Sequence, residues 1–165
     1  MMLVAKEQFD ATRAQLLQTI QNLDNTSFND KPDAQSWSVA QICHHLVLVE
    51  EAAKKAITWG LQAQEQSSPA RKNVQLVVLD RTKKFQAPTI VEPIDQPFTV
   101  QEMLDLLATT RMNFLAFLQT IEEPEILTKY AVKHPALGTL PLDQWIEMVY
   151  LHEQRHIEQI QEIMK

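Results

Sequence analysis

Apolar residues recur at three- and four-residue spacing through four stretches of the chain, the spacing that lays a stripe along one side of an α-helix. In the first stretch, Phe9, Leu16, Ile20 and Leu23 alternate with polar positions that include Arg13 and Gln21, which predicts a helix over about residues 3 to 24. The tract from Asp24 to Ser36 is rich in Asp, Asn, Ser and Pro, whose side chains compete for backbone hydrogen bonds, and reads as a loop. The second stretch opens on a capping box, Ser38 with Gln41, and Trp37 just before it can staple onto Ile42. Ile42, His45, Leu46, Val49, Ala53 and Ile57 then share one face, while Glu50, Glu51, Lys54 and Lys55 form the wetter side as far as Gly60, the expected stop.

Residues 61 to 98 are less regular. Pro69 suits the first turn of a helix, and the apolar run Val74–Leu79 fits either a helix or a strand, with helix favoured. Pro88, Pro93 and Pro97 deny regular backbone pairing and predict an extended crossover. A second capping box, Thr99 with Glu102 and with Phe98 and Met103 as staple partners, opens a long helix through Met112, Leu115 and Leu118 that should end near Glu123 and Pro124. Residues 122 to 141 form another connection, and Pro141 suits the first turn of a last helix. On that helix Trp145, Met148, Val149, His152, His156, Gln159, Ile160 and Ile163 lie on one side. The expected fold is all-α, a four-helix bundle with a long crossover connection, occupying residues 1–165 as a single domain.

Composition narrows the class. Gly60 and Gly138 are the only glycines, too few for a turn-rich β fold or a glycine-rich phosphate loop. A formal charge of −6 argues against a nucleic-acid partner, whose binding depends on neutralising phosphates. The lone Cys43 cannot form an intramolecular disulfide, no apolar run approaches the length of a membrane span, and the start of the chain lacks a secretory-type segment. A cytoplasmic location without membrane association is expected.

Chemistry concentrates on the histidines. His152 and His156 are four apart, so on a helix their rings lie one turn apart on the stripe that faces the core. His45 is flanked at helical spacing by Ile42, Leu46 and Val49 and turns inward too, whereas His44 is rotated by about 100° and is peripheral. Three imidazoles on two facing helices match a divalent metal site that keeps a position open. An inward histidine pair taken alone is more often hydrogen-bonded core than ligand, and both readings stand on spacing. The order His152-Glu-Gln-Arg-His156 has the spacing of the metalloprotease pattern H-E-x-x-H, a short match that does not by itself support that enzyme class. Gln159 shares the stripe and can orient a ligand ring or make an interhelical hydrogen bond. Cys43 points away from His45 and reads as a small buried apolar residue. His134, before Pro135 in a loop, has no assigned role. Arg71, Lys72, Arg81, Lys83 and Lys84 read as a solvated helix face. Glu50 and Glu153 are offset from the histidine stripe, so no catalytic acid or base is assignable.

The segment Trp37-Ser-Val-Ala-Gln-Ile42-Cys-His-His45-Leu46 resembles the W-S-x-x-x-I-x-x-H-L segment of the DinB/YfiT-like superfamily. The run from His134 through Gly138 to Trp145, followed by His152, His156 and Gln159, is similar to its C-terminal signature, in the expected order and separation. The resemblance implies a four-helix bundle in which His45, His152 and His156 hold a divalent metal ion. Superfamily members include transferases and isomerases that use a low-molecular-weight thiol, and proteins assigned only as metal-dependent hydrolases. Three imidazoles with water suit zinc, the first expectation, or nickel, manganese or iron, and the resemblance implies a low-molecular-weight thiol as a cosubstrate. The ion would activate a thiol or water toward an electrophilic small molecule, because a bound cation lowers the pKa of water from about 16 toward 7. The alternative is a non-catalytic metal-binding or stress-related interaction protein of the same fold. A homodimer is the default assembly on general grounds, and no residue pattern marks it.

Overall fold

The structure of the chain, a computed structural model, describes residues 2–65 and 70–165. Four long helices carry the fold: α1 (Met2–Ile20), α3 (Val39–Ala63), α5 (Val100–Gln119) and α6 (Leu142–Ile163). Between them lie the one-turn helices α2 (Asn25–Asn29) and α4 (Val74–Val78), 3-10 turns at Thr89–Val91 and Pro124–Thr128, and a hairpin of β1 (Ala131–His134) and β2 (Gly138–Pro141). Around the bundle the extensive helix contacts run α1 to α6, α6 to α3 and α3 to α5. Of the long helices that follow one another along the chain, α3 and α5 are close partners although the longest connection joins them, whereas α1 and α3, and α5 and α6, are not extensive partners.

Both capping boxes form as expected, Ser38 with Gln41 at α3 and Thr99 with Glu102 at α5, each with side chain and backbone satisfied reciprocally. The tract after α1 contains a helical turn, not only loop, because the Asp24 carboxylate accepts from the backbone N–H of Ser27. Helix α3 passes through Gly60 and ends a turn later on Gln64, which takes a left-handed φ of 50°. Gly60 marks a close approach: a Cβ there would lie 2.6 Å from Leu142 Cδ2 and 2.8 Å from Val132 Cγ2. The run after Asn73 is helical but only from Val74 to Val78, and Pro69, the expected helix start, lies outside the described residues.

The connection before α6 holds the hairpin, which the spacing of apolar residues did not announce. Its strands pair antiparallel with Val132 opposite Leu140 and His134 opposite Gly138, and Gly138 takes the positive φ of 73° that the turn requires. Pro141 ends β2 and caps α6 without entering its first turn. The basic residues assigned to a helix face instead dock loops onto α6 and the hairpin: Arg71 on Asp143, Arg81 on Glu162 and Lys72 on the Leu137 carbonyl.

The core has two apolar parts. One gathers Phe9, Ile57, Phe114 and Leu142, the other Leu16, Ile42, Met103 and Ile160. Between them lies a charged layer to which every long helix contributes one residue: Arg13, Glu50, Arg111 and Glu153. Glu50, expected on the wetter side of its helix, is 2% exposed.

Candidate metal centre

Helices α3 and α6 pack side by side and bring His45 against His152 and His156. One ligand-capable nitrogen from each ring lies within 4.8 Å of the other two. The His152 and His156 Nε2 atoms are 3.1 Å apart, a separation fixed by one helical turn, and the His45 and His152 Nε2 atoms are 3.3 Å apart across the helix interface. Ligands at about 2.0–2.1 Å from a shared ion in tetrahedral geometry stand about 3.3 Å from one another. The three rings thus fit a divalent ion.

The far side of two rings determines which nitrogen is free. His45 Nδ1 lies 2.7 Å from the Val91 carbonyl oxygen, which only accepts, so Nδ1 carries the proton and Nε2 keeps its lone pair. His156 Nδ1 lies 2.7 Å from Gln159 Oε1, which sets the same tautomer. His152 Nδ1 is buried and has no hydrogen-bond partner among the described residues. Trp37 packs on the His45 ring at 5.0 Å between centroids, so it covers the ring and does not serve only as a staple for the helix start.

Electrostatics keep the rings neutral. Burial lowers the pKa of His45, against the opposing effect of its Val91 bond. Burial pushes His156 down to about 3, helped by His45 and opposed by the Gln159 bond. His152 lies well below its ordinary value through burial and the neighbouring His156 and His45. Neutral imidazole is the form that binds metal.

The structure brings together the three histidines and places Gln159 on one of them. His44 stays peripheral, as expected, with its Nδ1 accepting from the Ile94 N–H. Cys43 is fully buried, and burial pushes its thiol up to about 12. Glu50 and Glu153 face away from the rings into the charged layer. The Val91 carbonyl was not anticipated, because no local signal says where a proline-rich crossover will touch a helix. His134 is half-buried on β1, not an exposed loop residue.

The fold and the cluster define the class: a four-helix bundle with three histidines converging from two adjacent helices. The chain belongs to the DinB superfamily, whose sequence profile matches residues 8–160. It is 26% identical over 155 residues to the uncharacterized protein YuaE of Bacillus subtilis (strain 168), covering 94% of each chain. The structure is similar to that of YfiT from Bacillus subtilis, described as a probable metal-dependent hydrolase with an unusual four-helix bundle topology. That likeness has a TM-score of 0.67 and 16% identity, over 98% of this chain and 85% of YfiT. It is also similar to TT2238, described as a four-helix bundle protein, with a TM-score of 0.63 and 17% identity over 98% and 99% of the two chains. Among the described residues no helix is long and apolar enough to cross a membrane.

Proposed function

We propose that the chain is a divalent-metal-dependent enzyme whose His45, His152 and His156 hold the ion, and that it acts on an electrophilic small molecule by hydrolysis or by transfer of a low-molecular-weight thiol. The observation that carries this reading is the convergence of neutral imidazole nitrogens, two of them oriented by hydrogen bonds on the opposite ring atom. The description of YfiT as a probable metal-dependent hydrolase supports it. Zinc suits three imidazoles best, and nickel, manganese or iron are compatible.

When bound, such an ion supplies Lewis acidity that favours the deprotonated form of water or thiol at neutral pH. The chain's own residues prepare the setting. Val91 and Gln159 hold the His45 and His156 rings in one tautomer, and Trp37 shields one face of His45 from water.

The test is elemental analysis of protein purified without a nickel column, as wild type, His152→Ala and His156→Ala. Near-stoichiometric metal in the wild type and loss in both variants are expected. Metal absent from the wild type, with no uptake of zinc, nickel or manganese, refutes the reading. Metal-loaded protein assayed on activated esters and on alkylating electrophiles, with and without thiol, then separates hydrolysis from transfer.

A further inference from the structure

The crossover that supplies the Val91 carbonyl is held firmly at both ends and hardly at all between them. Before it, Arg155 donates to the Asp80 and Lys83 carbonyls at 2.8 and 2.6 Å and lies over the Phe85 ring, 5.6 Å from its centroid. After it, the Ile94 N–H donates to His44 Nδ1 at 3.2 Å, Asp95 accepts from Lys31 and Gln41, and the Asn29 amide both donates to and accepts from the Phe98 backbone. From Gln86 to Pro93, by contrast, Val91 is the one buried residue, 6% exposed, and Ile90 beside it is 73% exposed. Among the described residues, the one hydrogen bond that joins this stretch to the rest of the chain is that of the Val91 carbonyl with His45 Nδ1, at 2.7 Å. A segment with so few buried contacts opens locally without unfolding of the whole molecule.

The single latch is therefore a group of the metal centre. While the stretch is docked, Val91 keeps the His45 proton on Nδ1 and leaves the Nε2 lone pair beside His152 Nε2, 3.3 Å away. When the stretch lifts, the ring loses its orienting oxygen and is free to carry its proton on Nε2, where it blocks the ligand atom. In the reverse direction, a cation on Nε2 draws electron density from the ring and makes Nδ1–H a stronger donor to Val91. Coupling between two equilibria is reciprocal, so whatever docking does for ion affinity, the ion does for docking.

We propose that Gln86–Pro93 is a strap latched by His45, whose docking and ion uptake at the three-histidine centre are one coupled event. This regulation rests on the metal-dependent reading above. The test is backbone hydrogen exchange in the full chain, metal-free and zinc-loaded, at the Val91 and Glu92 amides, which bond only within their own turn, to Pro88 and Thr89. Zinc is expected to slow both about tenfold or more. The Ile126 and Lys129 amides, which make the same kind of local bond in the other 3-10 turn, should keep their rates. Val91→Ser removes the buried anchor without touching a ligand. It should speed exchange of the strap amides in the metal-free chain and weaken zinc binding about tenfold in competition with a chelator, with helix content unchanged by circular dichroism. The wild-type exchange result stands whatever the variant's fold. Zinc bound with the strap amides unchanged, equal slowing of both turns, or a folded Val91→Ser chain that keeps its exchange rates or its zinc affinity within twofold of wild type overturns the strap and leaves the centre intact. No zinc uptake by the wild type overturns the centre itself, and the strap with it.

Discussion

The charged layer makes a sharp prediction at Glu153. Its carboxylate accepts from Thr12 Oγ1 at 2.6 Å, Arg13 Nε at 2.7 Å and Arg111 Nη2 at 3.0 Å, and the residue is 2% exposed. Both guanidinium groups also reach Glu50, at 2.9 Å from Arg13 and 2.5 Å from Arg111, so two positive and two negative charges close a ring. Glu153→Gln keeps the shape and one accepting oxygen but places an amide donor against donors and leaves one uncompensated positive charge inside the bundle. Breaking a buried pair in this way costs about 3–5 kcal/mol. With a urea slope of about 2 kcal/mol per molar, the midpoint should fall by roughly 1.5–2.5 M. The double variant Glu153→Gln with Arg111→Met restores neutrality and should be more stable than the sum of the singles by about 2 kcal/mol. Urea unfolding followed by circular dichroism measures both. A Glu153→Gln cost below about 1 kcal/mol, or additive singles, would refute the claim that the ring is a coupled unit.

The same ring sets an acid dependence. Burial pushes the Glu153 carboxyl up, but Arg13 and Arg111 outweigh it and hold the group below its ordinary value. A depressed carboxyl contributes stability above its unfolded pKa of about 4.3 and loses it as pH falls further. The wild type should therefore lose stability more steeply below about pH 4 than Glu153→Gln does.

Three further outcomes are expected. Gly60→Ala gains about 1 kcal/mol of helix propensity but presses a methyl to 2.6 Å from Leu142, so the melting temperature should drop, and a value equal to wild type would show that Leu142 yields. Gln159→Leu leaves His156 Nδ1 without its 2.7 Å partner and should weaken metal binding about 10- to 100-fold in competition with a chelator, whereas unchanged affinity would mean the bond does not orient the ring. Cys43, with its thiol pushed up to about 12, should resist a thiol reagent at pH 8 in the folded protein and react fully in denaturant.

The elements legible in the sequence are those whose signals are local. The capping boxes at Ser38 and Thr99 lie within four residues of chain, and the four long helices repeat their stripe over many turns. The His152 and His156 pair follows from helical spacing alone. The hairpin escaped because four-residue strands bounded by Pro135 and Pro141 are too short for a period to show. Glu50 was misplaced because a charge is assumed to face water, although Leu46, Glu50, Ala53 and Ile57 follow stripe spacing. Arg13 between Phe9 and Leu16, and Arg111 between Leu107 and Phe114, carry the same signal. Two arginines and a glutamate on apolar stripes of different helices are, in retrospect, the mark of a shared buried ring.

The ring and the histidine centre are linked through geometry. Helix α3 carries His45 and Glu50, about 140° apart around its axis, and α6 carries His152 and Glu153, about 100° apart. The 3.1 Å separation between His152 and His156 needs no help, because one helix sets it. The 3.3 Å separation between His45 and His152 depends on how α3 and α6 sit against each other. Apolar packing is non-directional, and a slip of one residue moves a ring by about 1.5 Å, far beyond the roughly 0.2 Å that ligand distances tolerate. Glu50 and Glu153 are each bonded to both Arg13 and Arg111, so such a slip would stretch several charged hydrogen bonds in a nearly water-free layer. The charged layer thus supplies the register between the helices that apolar packing leaves loose, and that register brings the third histidine into the centre.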